Sequence, residues 1–251
     1  MSKHAALDTF GRSGNPAFGD NFKEDAQFSD LPTEKSMSLD GAVNKTGILL
    51  AICFTTAIYS WNFPSPGLMG IGFLGGFIAA LVTIFRPHIA ATSGPIYAAL
   101  QGLALGTISV MYENQFPGIV IQAIGLTFGI LASLLVAYKT GLIKPTENFK
   151  LMIFSATGGI VLVYFVSIMM NMFGGAGISL IHSNGLFGIG FSLFVVGIAS
   201  LNLVLDFDFI EQGSENNLPK YMEWYGAFSL MVTLIWLYLE MLRLLAKLRS
   251  R

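Results

Sequence analysis

The residues of this chain that could do chemistry are ionisable side chains beside or within long apolar segments. Asp206 and Asp208 follow an apolar segment that ends at Leu205. Asn202 precedes Asp206 by four residues, so the two share one helix face, whereas Asp208 points to another side. Charged groups are costly next to lipid and mark candidate functional positions. We therefore take Asn202, Asp206 and Asp208 as a candidate proton-sensitive site.

A second candidate is Arg86, at the end of another apolar segment. If both segments end at the same membrane face, Arg86 and Asp206 lie at similar depth and could form an ion pair. Protonation of Asp206 would cancel the attraction, so the pair would act as a proton-sensitive latch between two helices. The alternative is that Asp206 and Asp208 merely mark the solvated end of a helix.

A third candidate is the pair Glu240 and Arg243 in the last apolar segment. The two residues are three positions apart, so they lie on neighbouring faces of a helix. One interpretation is a local ion pair that stabilises the end of the helix. The other is that Glu240 faces an aqueous cavity, which would make the pair a secondary polar site.

The elements that position these residues are membrane spans. The chain has 251 residues, of which 53% are hydrophobic and only 12% charged. Residues 46–85 and 151–205 contain no Asp, Glu, Lys or Arg. Both runs far exceed the roughly 18 residues that suggest a transmembrane helix. Backbone groups in lipid must be paired within the segment, so the sequence predicts a polytopic all-α membrane protein in contact with the bilayer.

Pro, Gly and charged residues divide the chain into seven predicted spans. Residues 43–251 form the predicted transmembrane domain, and the polar residues 1–42 form a predicted flexible cytoplasmic tail. The spans are Thr46 to Phe63, Leu68 to Phe85, Ser93 to Tyr112, Pro117 to Tyr138, Leu151 to Phe173, Leu186 to Leu205, and Trp224 to Leu245.

The distribution of Lys and Arg predicts a cytoplasmic amino terminus. The short loops on the other side, 61–67, 113–116 and 174–185, contain neither residue type. With this orientation, the cytoplasmic side receives seven basic residues: Lys35, Lys45, Arg86, Lys139, Lys144, Lys150 and Lys220. The basic residues after the last span conflict with this orientation if that span crosses fully.

The composition argues against several other functions. A net charge of −1 gives no electrostatic footprint for nucleic acid. The lone cysteine, Cys53, lies in an apolar run and is expected to be a buried hydrophobe. His88 and His182 lack a second histidine at ligand spacing, so no metal is expected. Motifs of membrane metalloproteases, serine hydrolases and P-loop enzymes are missing, so we expect neither catalysis nor a cofactor.

Glycines at helix-packing spacing occur in three segments. Gly72 pairs with Gly76 and Gly102 with Gly106, and Gly158 is followed by Gly159. Such spacing lets two backbones approach closely in lipid. The favoured interpretation is close packing within one bundle. Oligomerisation is the alternative, and the sequence does not set the oligomeric state.

The last two spans resemble the transmembrane Bax inhibitor motif family, whose bacterial members include YccA-like proteins. The likeness covers about residues 40–248 and includes Phe85-Arg86-Pro87. Its most specific parts are residues 205–213 (LDFDFIEQG), 219–227 (PKYMEWYGA) and 235–245 (IWLYLEMLRLL). The resemblance implies a seven-helix bundle with a central last helix, in a bacterial inner membrane.

The resemblance also implies a channel function. Some members are pH-sensitive calcium leak channels closed by two aspartates and an arginine. The first aspartate corresponds to Asp206 and the arginine to Arg86, but the second falls on Thr233, so the two-carboxylate lock is missing here. Glu240 lies about 10 Å farther along the helix and is not a simple replacement.

The primary interpretation is therefore a calcium-permeable leak gated near Asp206 with Arg86, with calcium as a permeant rather than a cofactor. The alternative is a YccA-like modulator that binds and inhibits a membrane-bound AAA protease through its amino-terminal tail. A secondary transporter is less favoured because the two halves show no internal repeat.

Overall fold

The computed structural model describes residues 36–173, 178 and 183–250. Within these ranges the chain forms seven long helices, each long and apolar enough to cross a membrane. The predicted all-α membrane bundle is thus confirmed, and the protein is a multi-pass membrane protein. The helices are α1 (Leu39–Asn62), α2 (Pro66–Phe85), α3 (Ala90–Gln115), α4 (Ile119–Lys139), α5 (Glu147–Met172), α6 (Leu186–Glu215) and α7 (Met222–Arg249).

Two helix boundaries differ from the predicted spans by more than four residues. Helix α6 continues to Glu215 instead of ending at Leu205. Hydropathy marks where apolar residues stop, but a helix continues where its polar side chains find hydrogen-bond partners. In the last turns of α6, for instance, Gln212 Nε2 donates to Asp208 Oδ2 at 2.6 Å. Helix α1 begins at Leu39, so the predicted tail overlaps its first turn. The rest of that tail, residues 1–35, lies outside the described residues.

Side-chain caps start three of the helices. Ser38 accepts a hydrogen bond from the backbone N–H of Gly41 at the start of α1. Ser65 caps α2 in the same way, and Pro66 occupies the first turn, where its missing N–H costs nothing. Thr146 caps α5. These caps fix helix starts that apolar periodicity alone leaves open.

The described residues divide into two compact units. The first, the α3 unit, comprises residues 36–117 and 206–232. In it, α1 and α2 both pack against α3. A Cβ added at Gly72 would lie 2.6 Å from the carbonyl oxygen of Leu100, and one added at Gly106 would collide with the carbonyl oxygen of Ala57. The predicted close packing is therefore confirmed for these glycines.

The second, the α5 unit, comprises the described residues of 118–205 and 233–250. It contains α4, α5, the first part of α6 and the last part of α7. Gly158 and Gly159 differ from the glycines of α3, because an added Cβ would meet no atom of the described chain within 4 Å. The core of this unit is formed by the buried side chains of Ile153, Ile160, Val195, Ile198 and Leu205.

Candidate functional site

Asp206 is completely buried in the α3 unit, within α6 and not at its end. The hydroxyl of Ser229 on α7 donates a hydrogen bond to Asp206 Oδ1 at 2.8 Å. The interpretation that Asp206 marks a solvated helix end is therefore wrong. Asp208 is only half-buried and is held locally by Gln212. The two acids thus occupy different environments, and Asp206 is the completely buried one.

Arg86 does not meet Asp206. It is exposed and follows α2, where its backbone N–H bonds to the carbonyl of Val82 and Pro87 starts a short 3-10 turn. Within the part of the chain that the structure describes, no ion pair joins Arg86 to Asp206, so the expected latch is not formed. The physical reason is that Asp206 is completely buried in the packed unit, whereas Arg86 is exposed.

Asn202 has its partners in the α5 unit. Its side-chain N–H₂ donates to Thr157 Oγ1 and to the carbonyl of Ile198, both at 2.9 Å. Thr233, the position on which the second aspartate of the resembled channels falls, is also buried in this unit. The position carries a hydroxyl, so this chain has no second carboxylate there.

Glu240 and Arg243 form the predicted ion pair, and a third residue joins it. Arg243 Nη1 donates to Glu240 Oε1 at 2.6 Å and to the hydroxyl oxygen of Tyr164 at 2.7 Å. The Tyr164 hydroxyl in turn donates to Glu240 Oε1 at 3.0 Å. Glu240 is 2% exposed and Arg243 34%. The arrangement ties α5 to α7 through three mutually bonded polar groups.

Sequence reasoning missed Lys247, which it placed in a basic tail. The residue is buried, and its ammonium donates to the carbonyl of Gly188 at 3.0 Å and to Ser192 Oγ at 2.8 Å. Lys247 lies seven residues after Glu240, which places both on one face of α7. That spacing was the available signal, whereas nothing in the sequence pointed to Tyr164, Gly188 or Ser192.

Sequence reasoning also missed a second ionic cluster, which we call the Glu223 cluster: Ser38, Lys45, Lys220 and Glu223. The Glu223 side chain is completely buried and forms ion pairs with Lys45 at 2.6 Å and Lys220 at 2.9 Å. Its Oε1 also accepts hydrogen bonds from the backbone N–H and the hydroxyl of Ser38. The cluster fixes the start of α1 to the start of α7 inside the α3 unit.

Metal binding has no geometric support in residues 36–173, 178 and 183–250, where no three His, Cys, Asp or Glu side chains are grouped to hold an ion. His88 is exposed, and His182 lies outside the described residues. Cys53 is buried in α1, as expected for a small hydrophobe. The described residues therefore offer buried acids and bases, of which Glu240 and Glu223 are held in ion pairs.

Asp206 and Glu240 are buried acids in helices that are long and apolar enough to cross a membrane. A charged side chain costs at least about 2.5–3.5 kcal/mol at the centre of a bilayer, so it is retained where it pairs, faces water or conducts. Glu240 has a guanidinium partner, whereas Asp206 is held by the hydroxyl of Ser229.

Comparison with known proteins agrees with this architecture. No match was found among curated proteins or solved structures. A family model described as Bax inhibitor 1 like matches residues 15–250, which include all seven helices and the buried acids of α6 and α7. The chain therefore belongs to the Bax inhibitor 1 like family.

Proposed function

We propose that the protein is a passive, calcium-permeable leak in a bacterial inner membrane, with its amino terminus in the cytoplasm and Asp206 as its controlling group. The observation that supports this most directly is the complete burial of Asp206 within a membrane helix. The proposed activity moves an ion down its gradient. It converts no substrate and uses no cofactor.

The electrostatics of Asp206 favour this role. Calcium is bound in proteins by oxygen ligands, and carboxylates are its strongest protein ligands. Ser229 donates one hydrogen bond to Oδ1 of the acid. Protonation of Asp206 removes its negative charge, so conduction should respond to pH. In this proposal Ser229, and not Arg86, contacts the acid.

The test is calcium entry into liposomes that contain the purified protein and a calcium-sensitive dye, measured across pH. Asp206→Asn removes the charge and keeps the size of the side chain. Asp208→Asn is the matched control, because it makes the same chemical change two positions away at a half-buried, locally bonded residue. We expect only Asp206→Asn to abolish the pH response and lower the flux. Equal behaviour of Asp206→Asn and wild type would refute the proposal.

A second candidate function is modulation of a membrane-bound AAA protease. The hydroxyl at Thr233 favours it, because a regulated channel of this family would place a carboxylate there. The proposed contact is the amino-terminal segment, which enters the membrane domain where Met37 N–H bonds to the carbonyl of Leu218 at 2.6 Å.

The matching experiment deletes residues 1–35 and leaves the Glu223 cluster intact. Association with the protease, measured by co-purification, should be lost, while insertion and thermal stability stay unchanged. Retained association would exclude the amino-terminal segment as the contact.

A further inference from the structure

Helix α7 carries a polar stripe inside the α5 unit, formed by Thr233, Glu240 and Lys247. These residues are spaced seven apart, so at 100° per residue they fall within about 40° of one another. All three are buried, with 3%, 2% and 5% exposure. At 1.5 Å per residue the α7 polar stripe is about 21 Å long, which is most of the roughly 30 Å hydrocarbon core.

Packing alone does not explain the α7 polar stripe. Glu240 Oε2 is buried and accepts no hydrogen bond from the described residues. Asn202 Oδ1, on the neighbouring α6, is in the same condition. A buried acceptor without a donor is unfavourable, and in the interior of a protein it is ordinarily satisfied by water or a cation. Two such oxygens in one unit therefore point to a hydrated interior.

The cations of α7 determine what can move along this face. Arg243 is offset by about 60° from Glu240, on the side of the stripe, and is fixed by Glu240 and by Tyr164. Lys247 adds a second positive charge one turn later. Glu240, Arg243 and Lys247 together carry a net charge of about +1 when all three are ionised. Such a cluster slows the passage of cations.

We propose that the α7 polar stripe lines a hydrated ion path inside the α5 unit, and that Arg243 is its electrostatic barrier to cations. The proposal rests on the proposed leak function and adds to it a residue that limits selectivity. Tyr164 and Glu240 act as positioning residues, because they hold the guanidinium beside the path.

The proposal predicts a gain of flux whose size depends on the charge of the ion. One unit charge about 10 Å from the ion, at an effective dielectric constant of about 20, changes the rate for a monovalent cation about 17-fold. For a divalent cation the interaction doubles, which gives about a 280-fold change. Arg243→Gln should therefore raise calcium flux far more than potassium flux.

Both fluxes are measured in the same liposomes for wild type and three variants. Arg243→Lys keeps the positive charge and should therefore show no preferential gain of calcium flux over potassium flux. Lys139→Gln removes an exposed positive charge at the end of α4 and should change neither flux. An equal rise of both fluxes in Arg243→Gln would indicate loosened packing and overturn the barrier, and so would the absence of any rise.

A second measurement tests the hydrated lining without relying on flux. Cys53 is the only cysteine, so Cys53→Ser gives a background for single cysteines. In it, Thr233→Cys on the stripe should react with N-ethylmaleimide, which attacks ionised, water-exposed thiols. Val161→Cys, on an exposed apolar position of α5, is the lipid-facing control and should stay unreactive.

The two measurements separate the proposals. An unreactive Thr233→Cys, together with wild-type flux that Asp206→Asn abolishes, would overturn the stripe and leave the leak intact. Absence of ion flux in both wild type and Arg243→Gln would overturn the leak and the barrier together. Reactivity of Thr233→Cys with a charge-dependent gain of flux in Arg243→Gln would support both.

Discussion

Replacement of Glu223 by Gln tests how firmly the segment before α1 is held. The variant keeps the size of the side chain and an acceptor for Ser38, but it loses the charge that pairs with Lys45 and Lys220. Lys220 has a side chain that is 51% exposed, so its ion pair contributes little, about 0.5 kcal/mol or less. Lys45 is only 20% exposed and faces a completely buried carboxylate.

Breaking a buried ion pair costs about 3–5 kcal/mol. Because the ammonium of Lys45 is partly exposed and is rehydrated when its partner is lost, we expect about 2–3 kcal/mol for Glu223→Gln. For a chain of this size that corresponds to a fall in Tm of about 5–10 °C. Lys220→Gln, the matched control, should lower Tm by about 2 °C or less.

Thermal unfolding in detergent micelles, followed by tryptophan fluorescence, measures this directly. Trp224 is a local reporter, since the Lys45 ammonium lies 5.8 Å from the centroid of its ring. Limited proteolysis gives a second measurement, because the start of α1 should become cleavable in Glu223→Gln. Equal Tm values for Glu223→Gln and Lys220→Gln would refute the energetic role assigned to the Glu223 cluster.

Three further predictions concern helix packing and buried hydrogen bonds. Gly106→Leu should prevent the close approach of α1 and α3 and strongly lower Tm, whereas Gly158→Leu should leave Tm near the wild-type value. Equal shifts in Tm would contradict the role of Gly106 in helix packing. Tyr164→Phe removes the hydroxyl that bonds to both Glu240 and Arg243 and should lower the free energy of unfolding by about 1–2 kcal/mol. An unchanged Tm would argue against this bridge. The double variant Asn202→Leu, Thr157→Val should lose less free energy of unfolding than the sum of the two single variants, because the two side chains share one hydrogen bond. Strictly additive losses would count against this hydrogen bond.

Most of the fold was predictable because lipid imposes a simple rule on sequence. Apolar segments of sufficient length are needed at every crossing, so hydropathy located all seven helices. The same rule misplaced the end of α6, since it treats Asp206 as the end of a span. Inside the molecule this acid is held by Ser229, and the helix continues to Glu215.

Partners distant in sequence were not predictable from spacing. Ser38 and Glu223 are 185 positions apart, and Tyr164 and Glu240 are 76 apart. No periodicity along one segment encodes such contacts, because they depend on which helix faces which. In contrast, the repeat that places Glu240 and Lys247 on one face of α7 is local and was open to prediction.

The glycine contacts of α3 have a mechanical consequence. Gly72 brings the backbone of α2 against α3, and Gly102 and Gly106 bring α3 against the carbonyl groups of α1. Because the backbones are in direct contact at these glycines, no side chains lie between the helices, and one helix cannot slide past another without a steric clash. A swing of α2 by itself would break these contacts, so α1, α2 and α3 should move as one rigid block whenever the protein changes conformation.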